Sequence, residues 1–132
     1  MKKYGIWMLA LLAIQYILGV ITNLFVKFPD TQNPSALWEF AWKQIPTALH
    51  IILGFTLLFL SIKIVIVATK KKVKNWLLPA WAGFISILLA FINGAAFIDE
   101  QKDIYSFLMA LFFITTVASY VWGMYKSKKL EN

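Results

Sequence analysis

IPTALHIILGFTLLFLSIKIVIVAT, residues 45–69, decides how the rest of the chain reads. Crossing ~30 Å of hydrocarbon takes ~20 apolar residues at ~1.5 Å each, and this run exceeds that. Its only charge is Lys63, near one end, and it holds the only histidine of the protein, His50. Such a run predicts a membrane-spanning helix, entered through Pro46.

Three further apolar runs flank it. Downstream, the cationic turn KKKVKN (70–75) leads into the run 76–98, where Pro79 falls in the tolerant first turn. A short acidic turn, 99–103, precedes the run 104–125, and a basic tail closes the chain. Upstream lies the run 5–26, preceded by the basic head MKK. A basic head before an apolar run also describes a signal peptide, but this run is longer than an h-region and no A-x-A-like site follows. An uncleaved first span is therefore expected. The prediction is an all-α integral membrane protein: a four-helix antiparallel transmembrane bundle, residues 1–132 forming one transmembrane domain.

Composition agrees. The 132 residues are 61% hydrophobic and 14% charged, against roughly 25% charged in a soluble domain. No cysteine is present, which excludes disulfides, thiolate metal sites and cysteine nucleophiles. The net charge of +7 comes entirely from lysine and concentrates at helix ends. Orientation in the bilayer and contact with anionic lipid explain it better than nucleic acid, which is not expected as a partner.

Lysine placement sets a topology. The head, the 70–75 turn and the tail hold nine lysines and one acid, whereas the other two connectors hold three lysines and five acids. Lys63 should snorkel to the lysine-rich side. Both termini are thus expected on the cytoplasmic side of the cell membrane.

The connector 27–44 has its own pattern. Asn33 suits an N-cap and Pro34 the first helical position. Leu37, Trp38, Ala41, Trp42 and Ile45 recur at helical spacing, with Glu39 and Lys43 as an i,i+4 pair. This predicts a short interfacial helix with tryptophans at headgroup depth. An irregular loop with interfacial tryptophans is the alternative.

With that topology, polar side chains from all four spans fall in one layer near the outer surface. His50 and Asn93 each lie five residues inside a span end, or ~8 Å deep at ~1.5 Å per residue. Asn23 lies near the end of span one, and Tyr105 and Ser106 open span four. Gln15, Gly19 and Thr22 share a face of span one; Thr47, His50, Gly54 and Ser61 share one of span two. Small residues permit close helix approach and polar ones bond across it, so these faces should point inward. Simple packing seams would show the same pattern.

His50, Asn23, Asn93 and Tyr105 are the candidate cofactor-binding residues. A neutral imidazole can ligate haem iron, shuttle a proton or bond a quinone carbonyl; it can equally bond an asparagine and hold helices together. With no second histidine, an iron held by two histidines would require a symmetric homodimer, or else methionine as the second ligand. The spans contain no carboxylate of the kind a proton-coupled exporter uses. No catalytic triad, phosphate-cradling loop or zinc cluster is present, so stand-alone catalysis is not expected.

Gln15-x-x-Leu18-Gly19-x-x-Thr22, the aromatic Trp38-Glu39-Phe40 and His50-x-x-Leu53-Gly54 resemble one four-helix half of the haem A synthase family. The resemblance covers the first two spans. It implies a haem axial ligand at His50, close to the outer face. Three functions follow as expectations. The first is an accessory or cofactor-contacting protein of respiratory haem or quinone chemistry. The others are a small-solute transporter or channel using the Gln15, Ser61 and Ser86 faces, and a structural subunit of a larger membrane complex.

Overall fold

The computed structural model describes residues 1–128. Four long helices and one short one follow in the order α1 (Lys2–Phe25), α2 (Pro34–Lys43), α3 (Ile45–Lys70), α4 (Lys74–Glu100) and α5 (Asp103–Lys128). The four long helices run 24 to 27 residues. Each is long and apolar enough to cross a membrane.

Contacts at both ends fix their directions. Tyr4 of α1 meets Lys63 of α3, and farther along α1 Gln15 meets His50, so α1 and α3 are antiparallel. On α4 and α5, Trp76 bonds Ser127 and Ser86 bonds Thr115, again antiparallel. α1 packs on α3 and α5, and α4 packs on the same two helices. Connectors of two or three residues allow no other arrangement of α3, α4 and α5.

The lysine-rich end is the densely packed one. Met8, Leu12, Leu57, Ile64, Trp76 and Tyr120 are at most 3% exposed. Two large rings fill notches left by glycines. A Cβ on Gly5 would stand 2.8 Å from the Trp76 ring, and one on Gly123 would stand 3.0 Å from it. A Cβ on Gly83 would stand 2.7 Å from Tyr120. Only glycine lets these helices approach so closely. The Trp76 indole N–H, buried here, donates to Ser127 Oγ.

At the opposite end α2 lies across α3 and α4. It begins as its sequence predicts. Asn33 accepts from Ser35 N at 3.1 Å, and Pro34 takes the first turn. Leu37 and Ala41 bury against Ile98. The opposite face carries the Lys43–Glu39 pair at 2.6 Å. The hydrogen bond and charge of Lys43 hold the Glu39 carboxyl below its ordinary range. Trp38 Nε1 donates to Asp99 Oδ1 at 2.7 Å, pinning α2 to the last turn of α4.

Lys63 reaches toward the basic end, with its Nζ 5.6 Å from the Tyr4 ring centroid. Around the girth the surface is apolar: Ile17, Leu24, Phe59, Leu78 and Ile114 are each at least 57% exposed.

Candidate functional site

The site grows from the seam between α1 and α3. Gln15, Gly19 and Thr22 form one stripe on α1; Thr47, His50 and Gly54 form one on α3. Antiparallel packing sets the two stripes face to face. Gly19 admits the imidazole: a Cβ there would lie 3.0 Å from His50 Cε1. Gly54 faces Gln15 Nε2 more loosely: a Cβ there would lie 3.6 Å away, in ordinary contact.

Gln15 is the partner of His50. Its Nε2 donates to the His50 carbonyl at 3.1 Å and lies 3.2 Å from the imidazole Nε2. With the imidazole neutral and the amide as donor, the ring proton sits on Nδ1. That proton has no acceptor. Among the described residues, the buried side-chain atoms without a hydrogen-bond partner are His50 Nδ1, Gln15 Oε1, Thr22 Oγ1 and Thr47 Oγ1, with Tyr120 OH in the dense half. Leaving such an atom unpaired costs about 1–3 kcal/mol. Four of the five belong to this one seam.

All four of those side chains line a pocket of about 650 Å³. Its floor is Leu12, Leu57, Ile87 and Thr116, the first two at most 3% exposed. Below them stands the dense core of Met8, Ile64, Trp76 and Tyr120, each fully buried among the described residues. Two aromatic pairs wall it: Phe55 and Phe91 in a T at 4.7 Å, and Tyr16 and Phe113 stacked at 5.9 Å. Trp38 and Trp42 of α2 reach over it. Five of its exposed lining residues, Tyr16, Val20, Asn23, Ala110 and Ile114, lie on α1 and α5, against Trp42 on α2 and Phe55 on α3, so its wider opening is sideways between α1 and α5. Among the described residues no charged side chain lines it.

The predicted site residues part company here. His50 and Asn23 line the pocket; Asn93 and Tyr105 do not. Asn93 turns its amide back to the Leu89 carbonyl of its own helix, at 2.8 Å. Tyr105 sits at the rim and donates to Glu100 Oε1 at 3.1 Å. Equal depth in the membrane does not fix helical azimuth, and these two residues face elsewhere. Gln15, Thr22 and Thr47 take their places. The signal was in the stripes: aligning Gly19 with His50 on antiparallel helices brings Gln15 beside Gly54 and Thr22 beside Thr47.

Haem fits this chamber poorly. Its propionates would find no cation on the walls. One imidazole nitrogen is engaged with Gln15, and the other carries the ring proton and so has no lone pair for iron. Among the described residues no group of three His, Asp or Glu side chains could hold a metal ion. What the chamber offers is one N–H donor, one carbonyl acceptor and two hydroxyls, set among aromatic rings. That combination suits a neutral, flat, largely apolar molecule with hydrogen-bonding groups at one edge.

No family model matches the sequence, and no curated protein or solved structure matches it.

Proposed function

We propose that the chain is a four-span antiparallel bundle of the cell membrane, with both termini cytoplasmic, that holds a neutral lipophilic cofactor of the quinone type in its outer-leaflet pocket. The exposed apolar girth and the lysine asymmetry support the membrane reading and its direction. The observation that carries the functional reading is the coincidence of four buried, unpartnered polar atoms around one uncharged, ring-walled pocket. A quinone carbonyl accepts from His50 Nδ1–H or a threonine hydroxyl. A quinol hydroxyl donates to Gln15 Oε1. The isoprenoid tail leaves between α1 and α5 into lipid.

On this reading the protein is an accessory or cofactor-contacting component, not a stand-alone enzyme. His50 is the principal contact, Thr22 and Thr47 complete the polar edge, and Asn23 stands at the mouth. The closed floor favours a binding pocket over a transport path. A homodimer or a larger respiratory assembly would place a redox partner beside the α1–α5 mouth.

The test is purification in mild detergent, followed by an absorption spectrum and mass spectrometry of the organic extract. A retained quinone near one per chain, lost in Thr47→Val/His50→Ala, is the expected result. A Soret band that disappears in His50→Ala would assign haem instead. An extract with no neutral lipophile, from a protein that also fails to bind added decyl-ubiquinone, would remove the proposal.

A further inference from the structure

A second concavity lies at the lysine-rich end, on the opposite half of the molecule from His50. It is a groove of about 510 Å³ between α3 and α4, lined by Ile62, Val65, Ile66, Trp81 and Phe84, with Thr69 and Lys70 at its end. The Thr69 hydroxyl is already bonded to the Val65 carbonyl at 2.8 Å, so the groove walls carry no unmet hydrogen bond. Trp81, 47% exposed, forms its aromatic side, edge-on to Phe84 at 6.0 Å. From Ile62 to Lys70 the groove runs ~12 Å at ~1.5 Å per residue, most of one leaflet of a ~30 Å hydrocarbon core. Its walls suit an acyl chain and nothing polar.

Its end is charged. Lys70 opens the run Lys70, Lys71, Lys72, Val73, Lys74. The chain reverses there through Lys72, whose φ is 49°, so four lysines fall within five residues of the end of the groove, where Lys70 lines it. All four are exposed, and among the described residues none has an acidic partner. An apolar slot capped by unpaired cations is complementary to one molecule with both features.

We propose that this groove is a binding site for an anionic phospholipid, with one acyl chain along Ile62, Ile66 and Trp81 and the phosphate at Lys70 and its neighbours. The site needs the four spans but not the His50 pocket. Zwitterionic lipid offers the same chains, so the lysines supply the selectivity, about fivefold for each one at the surface.

Vesicles of phosphatidylcholine carrying the protein test it directly. A minor fraction of phosphatidylglycerol with brominated chains is added, and in a parallel sample brominated phosphatidylcholine. Bromine quenches nearby tryptophan. The brominated anionic lipid should quench several-fold more efficiently than its zwitterionic counterpart. Trp81→Phe should remove that excess, and Lys70→Gln/Lys71→Gln/Lys72→Gln/Lys74→Gln should abolish the preference. The replaced lysines are exposed and circular dichroism should be unchanged. Equal quenching by the two lipids would overturn the proposal, as would a preference that survives lysine replacement.

Discussion

The two halves of this molecule are built on opposite principles. At the lysine-rich end, glycines on three helices form notches that Trp76 and Tyr120 fill completely. At the α2 end, glycines on α1 and α3 admit only a histidine and a glutamine, and beyond them the packing stops at a pocket of about 650 Å³. Helices in lipid gain little from burying apolar surface, because acyl chains are as apolar as leucine. Close packing is what holds them, and the dense half supplies it. That leaves the other half free to carry unpartnered polar atoms, which weaken the fold where they stand. Stability and binding are thus separated along the long axis, and replacements in each half should behave differently.

The largest effect is expected where the notches are deepest. Trp76→Ala empties a site gripped by Gly5 and Gly123, and should cost about 3–5 kcal/mol. Gly83→Val forces a branched side chain into the Tyr120 ring, which is fully buried and has nowhere to swing; about 1–3 kcal/mol is expected. Both are measurable by SDS titration from mild detergent, followed by circular dichroism. A Trp76→Ala protein as stable as the parent would mean that the dense half is not what holds the helices together.

Much of the helix layout, though not this division, was legible in the letters. The spans were visible because apolar length is a direct consequence of bilayer thickness, and α2 because Asn33-Pro34 is a helix start with a mechanism. The facing stripes on α1 and α3 were visible as helical periodicity. Two things were hidden. Azimuth was one: Asn93 sits at the depth of His50 but bonds Leu89 of its own helix. Partner choice was the other. Nothing in one sequence says whether His50 meets Asn23, Asn93 or Gln15 until helix order is known, and that order depends on which glycines face which rings. The notches for Trp76 and Tyr120 are such pairings, made across 37 to 71 residues of chain and invisible to any local pattern.

The pocket half should respond in binding rather than in stability. Gln15→Leu removes the amide that orients His50, and His50→Ala removes the ring itself. In ligand-free detergent both should unfold within about 2 kcal/mol of the parent, since each breaks the Gln15–His50 hydrogen bond but also deletes an atom that has no partner. Each should lose at least tenfold in affinity for decyl-ubiquinone, read from the ligand-induced rise in melting temperature. Equal affinity in both variants would detach the seam from the ligand. A loss of stability as large as that of Trp76→Ala would make His50 a structural tie.

The finest discrimination comes from hydroxyls. Thr47 Oγ1 and Tyr120 OH are both buried and unpartnered, one on the pocket and one in the dense half. Thr47→Val keeps the shape and removes the orphan, so the ligand-free protein should gain up to about 1 kcal/mol while losing part of its affinity. Tyr120→Phe should bring a similar gain, because the hydroxyl is pressed toward Gly83 without a bond, and should leave affinity untouched. The contrast depends on geometry alone: the same chemical deletion, made on opposite sides of the Leu12 and Leu57 floor. If Thr47→Val binds as well as Tyr120→Phe, the Thr47 hydroxyl meets no ligand, and the polar edge of the pocket shrinks to His50, Gln15 and Thr22.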